Sequence, residues 1–256
     1  VAEELLLISL QDYATKKVTT FGSRDFVNKD PNVTYILCRD EVHLLSSFIA
    51  YWRKNLPEVI TGWNSQMYDI PYLAGRINRV MGEKSMKDLS PWGLVSQGEV
   101  YISGRKNITY DIGGVTQLDY LDLYKRFTYT NQESYRLDYI ANYELGEKKL
   151  DHNEYDTFRE FYTKDWDKFV RYNIKDVQLV DRLEDKLKLI ELAVTMAFDA
   201  KVNFIDIHYQ VRMWDTIIYN YLKKRNIVIP PKKRTSKSQK YAGAYVKEPK
   251  PGKYDW

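Results

Sequence analysis

Cysteine is nearly absent from this chain: Cys38 is the only one in 256 residues. That excludes an internal disulfide and any zinc site built from several thiolates. Histidine is almost as scarce, and His43, His152 and His208 have no spacing that suggests a shared metal ion. No run of 18 apolar residues occurs, which excludes a helix long enough to cross a membrane. The start has no basic segment followed by an apolar stretch and a small-residue cleavage site, so nothing reads as a secretory leader. A reducing, cytoplasmic compartment is the expectation. Gly113-Gly114 is not followed by Lys and Ser or Thr, so it reads as a turn and not as a phosphate loop. Because the chain opens on Val1 and not on Met, we expect a piece of a longer polypeptide.

What is present suffices for a folded core. Apolar residues make up 44% and charged residues 29%, which fits one large domain or one domain with an appendage. The net charge of +4 is unevenly spread. Residues 223–253 hold eleven Lys or Arg against the single acid Glu248, which leaves 28 basic and 34 acidic residues elsewhere. A band of +10 on a body of −6 fits an anionic partner, nucleic acid first, and equally a solvated lysine-rich linker. The 22 tyrosines suit stacking on unpaired bases, with Tyr101, Tyr129, Tyr135 and Phe127 as candidates. A composition rich in Lys, Asn, Ile and Tyr is also what an AT-rich genome encodes.

Periodicity predicts an α/β order. Glu4 to Tyr13 reads as a buried strand, Lys17 to Phe21 as its hairpin partner and Thr34 to Cys38 as a third strand. Leu44, Leu45, Phe48, Ile49 and Trp52 have helical spacing within Glu41 to Asn55, with Asp40 as cap and Pro57 as stop. Val59 to Trp63 reads as a strand, Asn64 to Asp69 as its exit turn and Ile70 to Met81 as a helix ended by Gly82. Tyr101 to Val115 predicts a hairpin, Leu118 to Phe127 a strand then a helix, and Leu137 to Tyr143 a short helix. Asp165 to Ala200 has one long helical period, and Ile207 to Lys224 another. Short strands are predicted at Ile227 to Ile229 and at Tyr241 to Val246.

Two local patterns carry chemistry. In Thr61-Gly-Trp-Asn-Ser-Gln-Met-Tyr-Asp69 a strand end delivers Asn64 and Asp69 to one rim of a sheet, where open α/β sheets place their sites. Asp69 alone reads first as a helix N-cap, and Tyr68 as a packing residue. In Tyr172-Asn-Ile-Lys-Asp176 a phenol and a carboxylate four residues apart share one helix face. They can hold a water between them; alternatively Tyr172 packs and Asp176 is solvated. Lys175 and Asp181 read as surface charges.

In this order, the two patterns resemble the second and third exonuclease motifs of family B DNA polymerases, in the form found in T-even-type tailed phages. Gly82-Glu-Lys-Ser-Met-Lys87 leading to Ser90-Pro91, Leu118-Asp-Tyr-Leu-Asp-Leu-Tyr-Lys125, Met213-Trp-Asp-Thr-Ile-Ile218 and Tyr241-Ala-Gly-Ala-Tyr-Val246 extend the resemblance over nearly the whole chain. It implies an α/β, ribonuclease-H-like exonuclease domain, a mixed sheet flanked by helices, over residues 1–205, and a helix with a basic connector toward a polymerase domain over 206–256. It implies removal of nucleotides from a single-stranded DNA 3′ end at a primer–template, with two Mg²⁺ or Mn²⁺ ions about 3.5–4 Å apart. Asp69 and Asp176 would be metal ligands, Tyr172 would orient the attacking water, and Asn64 would contact the strand or fix the turn. Asp119 and Asp122 read as structural. Lys232, Lys233, Arg234, Lys237, Lys240, Tyr241 and Gly243 in the connector would contact DNA. A sliding clamp and other replisome proteins are implied as partners by the resemblance alone. A host-cell cytoplasm would be the compartment, with no membrane partner.

One departure matters. The family places its first pair of carboxylates in an Asp-x-Glu on an opening strand, and no Asp-x-Glu occurs here before Asn64. Glu3 and Glu4 are adjacent and on a strand would point to opposite faces. The family's polymerase motif, with its catalytic aspartate, would follow after Trp256. We therefore expect the chain by itself to show little or no nuclease activity and no polymerase activity. A non-catalytic DNA-binding or scaffold module and one part of a split polymerase are the alternatives.

Overall fold

Three short strands open the chain: β1 (Leu7–Gln11), β2 (Val18–Gly22) and β3 (Val33–Leu37). The computed structural model describes residues 3–102, 104–147, 154–231, 243, 247–248 and 250–253. β1 pairs antiparallel with β2, and β2 parallel with β3, so β2 is central and buried along its whole length. Helix α1 (Glu41–Lys54) follows, and the Asp40 carboxylate accepts the His43 N–H at 2.7 Å as the expected cap. Its apolar stripe of Leu44, Leu45, Phe48, Ile49 and Trp52 is buried.

The second sheet has two strands, β4 (Val59–Ile60) and β7 (Thr116–Gln117), paired in parallel. Between them in sequence lie α2 (Asp69–Met81), α3 (Glu83–Lys87) and the hairpin of β5 (Val95–Ile102) and β6 (Arg105–Ile112). The hairpin starts six residues before the sequence reading placed it, because Val95 to Val100 pairs in register despite its poor alternation. Helix α3 was not anticipated, being only five residues long.

The helices α4 (Tyr120–Phe127), α5 (Leu137–Leu145), α6 (Phe158–Lys164), α7 (Trp166–Leu187) and α8 (Leu189–Ala200) come next. The predicted single helix from Asp165 to Ala200 is broken at Lys188, which takes a left-handed φ of 55°. The buried Glu184 carboxylate accepts the N–H groups of Ile190 (3.0 Å) and Glu191 (3.2 Å). Donors freed by the break are thereby satisfied. Among the described residues, a 3₁₀ turn (Phe204–His208) and α9 (Gln210–Lys223) are the last elements, so the predicted helix from Ile207 starts later. Residues 227–229 form no strand. The strand expected over 241–246 lies outside the described residues apart from Gly243.

Backbone contacts divide the chain into a compact unit, Val1–Ile217, and a second, Ile218–Trp256. The first unit has helices on both faces of its sheets. On one face α1 and α2 bury Leu44, Phe48, Ala74 and Ile77 against Phe21, Ile8, Leu10 and Ile60. On the other, α7 places Phe169, Val170 and Ile174 against Leu7 and Val18, and Leu179, Val180 and Leu183 against Val59 and Trp63. No described helix is long and apolar enough to cross a membrane.

Candidate active site

The predicted exit turn forms directly after β4. Asn64 adopts φ 63°, a left-handed conformation that asparagine tolerates better than most residues. Its N–H donates to Asp119 Oδ1 at 3.0 Å, and the Gln66 N–H donates to Asp119 Oδ2 at 2.9 Å. The same Asp119 caps α4 by accepting the Leu121 N–H at 3.0 Å. One buried carboxylate thus clamps a loop and starts a helix. Burial raises its pKa above the ordinary carboxylate value, the neighbouring Asp122 raises it further, and the three N–H groups oppose them. Thr61 Oγ1 bonds the Leu118 carbonyl at 2.7 Å and Trp63 Nε1 the Tyr135 carbonyl at 3.0 Å, which fixes the strand end on both sides.

Helix α2 begins at Asp69, with Tyr68 in the cap position and no side-chain cap bond from it. Asp69 is exposed in the first turn, where the helix dipole favours negative charge. Tyr68, expected to pack, is 65% exposed, and its ring stacks on Tyr72 at 6.1 Å.

On α7, Tyr172 meets Phe158 and Phe161 edge-on, with centroids 6.4 and 5.9 Å away. Asp176 lies one turn further, partly buried, with Oδ1 fully covered. Tyr72 Oη donates to the Glu3 carbonyl at 2.9 Å, so the start of α2 borders the approach to β1. The cluster that includes Tyr172 packs with Leu6 and Leu7. Both helices therefore flank the same stretch, residues 3–7. Among the described residues no three His, Cys, Asp or Glu gather as a metal-binding group. The described residues do not by themselves fit a two-ion centre.

Lys232, Lys233, Arg234, Lys237, Lys240 and Tyr241 lie outside the described residues, and Gly243 belongs to no element. Of the stacking candidates, Tyr101 and Tyr129 are exposed, whereas Phe127 and Tyr135 pack against the second core cluster. Lys175 and Asp181 are more than surface charges. Lys175 pairs with Glu147 at 2.7 Å, and Asp181 accepts from Lys16 (2.7 Å) and Gln11 (3.0 Å). Sequence reasoning missed an open cleft of about 520 Å³ beside the Asn64 turn, lined by Gln66, Asp122, Lys125, Arg126, His208 and Tyr209. Its lining comes from the Asn64 turn, α4 and the 3₁₀ turn, so no local pattern signals it.

Helices on both faces of small sheets, with a carboxylate at the helix that follows a strand end, define an α/β domain of the ribonuclease-H-like type. The chain belongs to the DNA polymerase family B exonuclease domain family, whose model matches residues 2–140. It is 37% identical over 227 residues to the DNA-directed DNA polymerase of Escherichia phage RB69, covering 88% of this chain and 24% of that protein. It is 36% identical over 220 residues to the DNA-directed DNA polymerase of Enterobacteria phage T4, covering 86% and 24%. A DNA polymerase of Paramecium bursaria Chlorella virus NY2A is 28% identical over 241 residues, covering 87% and 26%. The chain thus spans about a quarter of the length of these relatives.

Proposed function

We propose that this chain is the greater part of a proofreading 3′→5′ exonuclease domain within a longer family B replicative polymerase. Residues 1–205 would form that domain, and 206–256 would lead toward the polymerase domain. The observation that supports the reading is the Asp119 clamp, which holds the Asn64 turn ahead of Asp69 in the first turn of α2. In the longer protein Asp69 and Asp176 would each supply a carboxylate to a divalent centre of Mg²⁺ or Mn²⁺. The chemistry such a centre would supply, when bound, is activation of water and stabilisation of the leaving oxygen. Tyr172 would orient the attacking water, and Asn64, besides shaping its turn, would touch the terminal strand. The cleft cations Lys125 and Arg126 and the 223–253 band suit a phosphate backbone. Sliding-clamp and replisome contacts belong to the same proposal.

Two carboxylates do not hold two ions at the required separation, so the isolated chain is expected to be inactive or very weak. In the longer polymerase, Asp69→Ala or Asp176→Ala should lower degradation of single-stranded DNA by orders of magnitude and leave synthesis intact. Tyr172→Phe should cost less. Unchanged degradation in both aspartate variants would remove these residues from the site.

A further inference from the structure

Helix α7 enters two apolar clusters. Val170 and Ile174 join the cluster of Leu7 and Val18, whereas Leu179 and Leu183 join that of Leu118 and Tyr120. Between them, residues 175–178 are only partly buried, and Asp176 lies in that stretch. Hydrophobic contact is non-directional, so it limits rotation and sliding of a helix less sharply than hydrogen bonds do. Directional bonds stand on either side of Asp176. Lys175 pairs with Glu147 at 2.7 Å. Five residues after Asp176, about 7.5 Å along the axis, the two oxygens of Asp181 are held from the first sheet. One accepts from Gln11 Nε2 at 3.0 Å and the other from Lys16 Nζ at 2.7 Å. Lys16 Nζ also reaches Asp185 Oδ1, one turn further on, at 2.9 Å. The Asp181 side chain is only 12% exposed, so this contact is screened less than a surface pair.

The turn between β1 and β2 is shaped for this contact. Asp12 Oδ1 accepts from the Thr15 N–H (2.7 Å) and the Thr15 hydroxyl (2.6 Å). The Asp12 carbonyl accepts the Lys16 N–H at 2.8 Å, and the Asp12 N–H donates to the Lys17 carbonyl at 2.9 Å. These bonds close the turn with Lys16 at φ 59°, a left-handed conformation that a lysine adopts rarely and at some cost. The residue held in that conformation is the one whose ammonium bridges two carboxylates of α7. Sequence spacing gave no sign of it, because Lys16 and Asp181 are 165 residues apart.

We infer that Lys16 is a positioning residue: it latches α7 to the β1–β2 turn and so sets the register at which Asp176 is held. The inference rests on the reading of Asp176 as a metal ligand in the longer polymerase. Lys16 acts through Asp181 and the turn and a half of helix between Asp181 and Asp176. Gln11 shares the load at the second oxygen of Asp181. Losing the latch leaves the apolar clusters in place, so the fold survives while the carboxylate drifts. A displacement near 1 Å at a reacting centre lowers a rate by as much as about a hundredfold.

Kinetics of single-stranded DNA degradation by the longer polymerase test this, with DNA synthesis as the internal control. Lys16→Met keeps most of the stem and removes the charge. It should lower kcat for degradation by about tenfold to a hundredfold, with KM within about twofold and synthesis unchanged. Lys16→Arg keeps the charge and should retain most of the rate. In the chain itself, Lys16→Met should lower the thermal unfolding midpoint by less than about 4 °C. A full rate in Lys16→Met beside a lost rate in Asp176→Ala would overturn the latch and leave the metal-ligand reading standing. A raised KM at unchanged kcat would overturn it by placing Lys16 against the DNA. A loss shared by synthesis, or one that Lys16→Arg does not relieve, would also overturn it. Undiminished degradation in Asp176→Ala would remove the metal-ligand reading, and this role of Lys16 with it.

Discussion

Asp119 shows how much one side chain can decide. Its two oxygens satisfy three backbone donors, two in the Asn64 turn and one at the start of α4. Asp119→Ala should lower unfolding free energy by about 2–4 kcal/mol, the combined cost of a lost cap and buried orphan donors. Asp122→Ala, in the same helix turn but not in the clamp, should change it by less than about 0.5 kcal/mol. Urea denaturation of the two variants separates these outcomes. His208 gives the pH-dependent counterpart. Burial lowers its pKa below the ordinary 6.5, and the Arg126 guanidinium lowers it further against a smaller opposing pull from Asp122. A lowered histidine is neutral in the fold, so its contribution is complete above about 6.5 and is lost as pH falls through the folded value. The midpoint of thermal unfolding should therefore drop between about pH 7.5 and pH 5.5, and His208→Asn should flatten part of that drop. An identical drop in the variant would show that other groups carry it.

Among elements, the join of α1 to α2 rests on an ion pair inside the core. Arg76 and Glu41 are both nearly buried; Arg76 Nε donates to Glu41 Oε1 at 2.8 Å, and the same oxygen accepts the Leu5 N–H at 2.8 Å. Arg76→Met should cost about 3–5 kcal/mol, because a buried carboxylate loses its counter-charge. Adding Glu41→Gln should recover part of that loss, since an amide needs no counter-charge and still accepts from Leu5. A double variant whose loss equals the sum of the single losses would mean that the two side chains are not coupled. This pair was not legible in the sequence: its members are 35 residues apart and belong to two helices that read correctly but separately. The helices themselves were legible because α1 and α2 each repeat apolar residues near 3.6 and end at recognisable signals, Asn55 before Pro57 and Gly82. The break at Lys188 was not, because Leu187, Leu189 and Ile190 continue the apolar pattern and only Glu184, folded back onto two N–H groups, ends it.

For the whole molecule, charge organisation is the testable property. If the band over 223–253 meets DNA, affinity should fall steeply and log-linearly with salt, by about 0.7 per neutralised phosphate on single strands. Binding should show little sequence preference. Fluorescence anisotropy of the chain with labelled oligonucleotides at several salt concentrations measures this; an affinity flat in salt would remove the band from the interface. The candidate site itself divides by scale. Asn64, Asp69, Tyr172 and Asp176 were singled out as candidates from local spacing and motif order, since each pair sits within one turn or one loop. The clamp by Asp119 and the Lys125, Arg126, His208 cleft were not, since their partners meet only after the chain has folded.

The sequence by itself determined the helices α1 and α2, the order of the two acidic motifs and the family, because short-range periodicity and motif order depend on neighbours along the chain. Only the tertiary structure decided that β1–β3 and β4 with β7 pair as separate sheets, and that one buried carboxylate governs the turn before Asp69. Strand pairing and burial are relations between distant segments, and their free energy exists only where those segments meet.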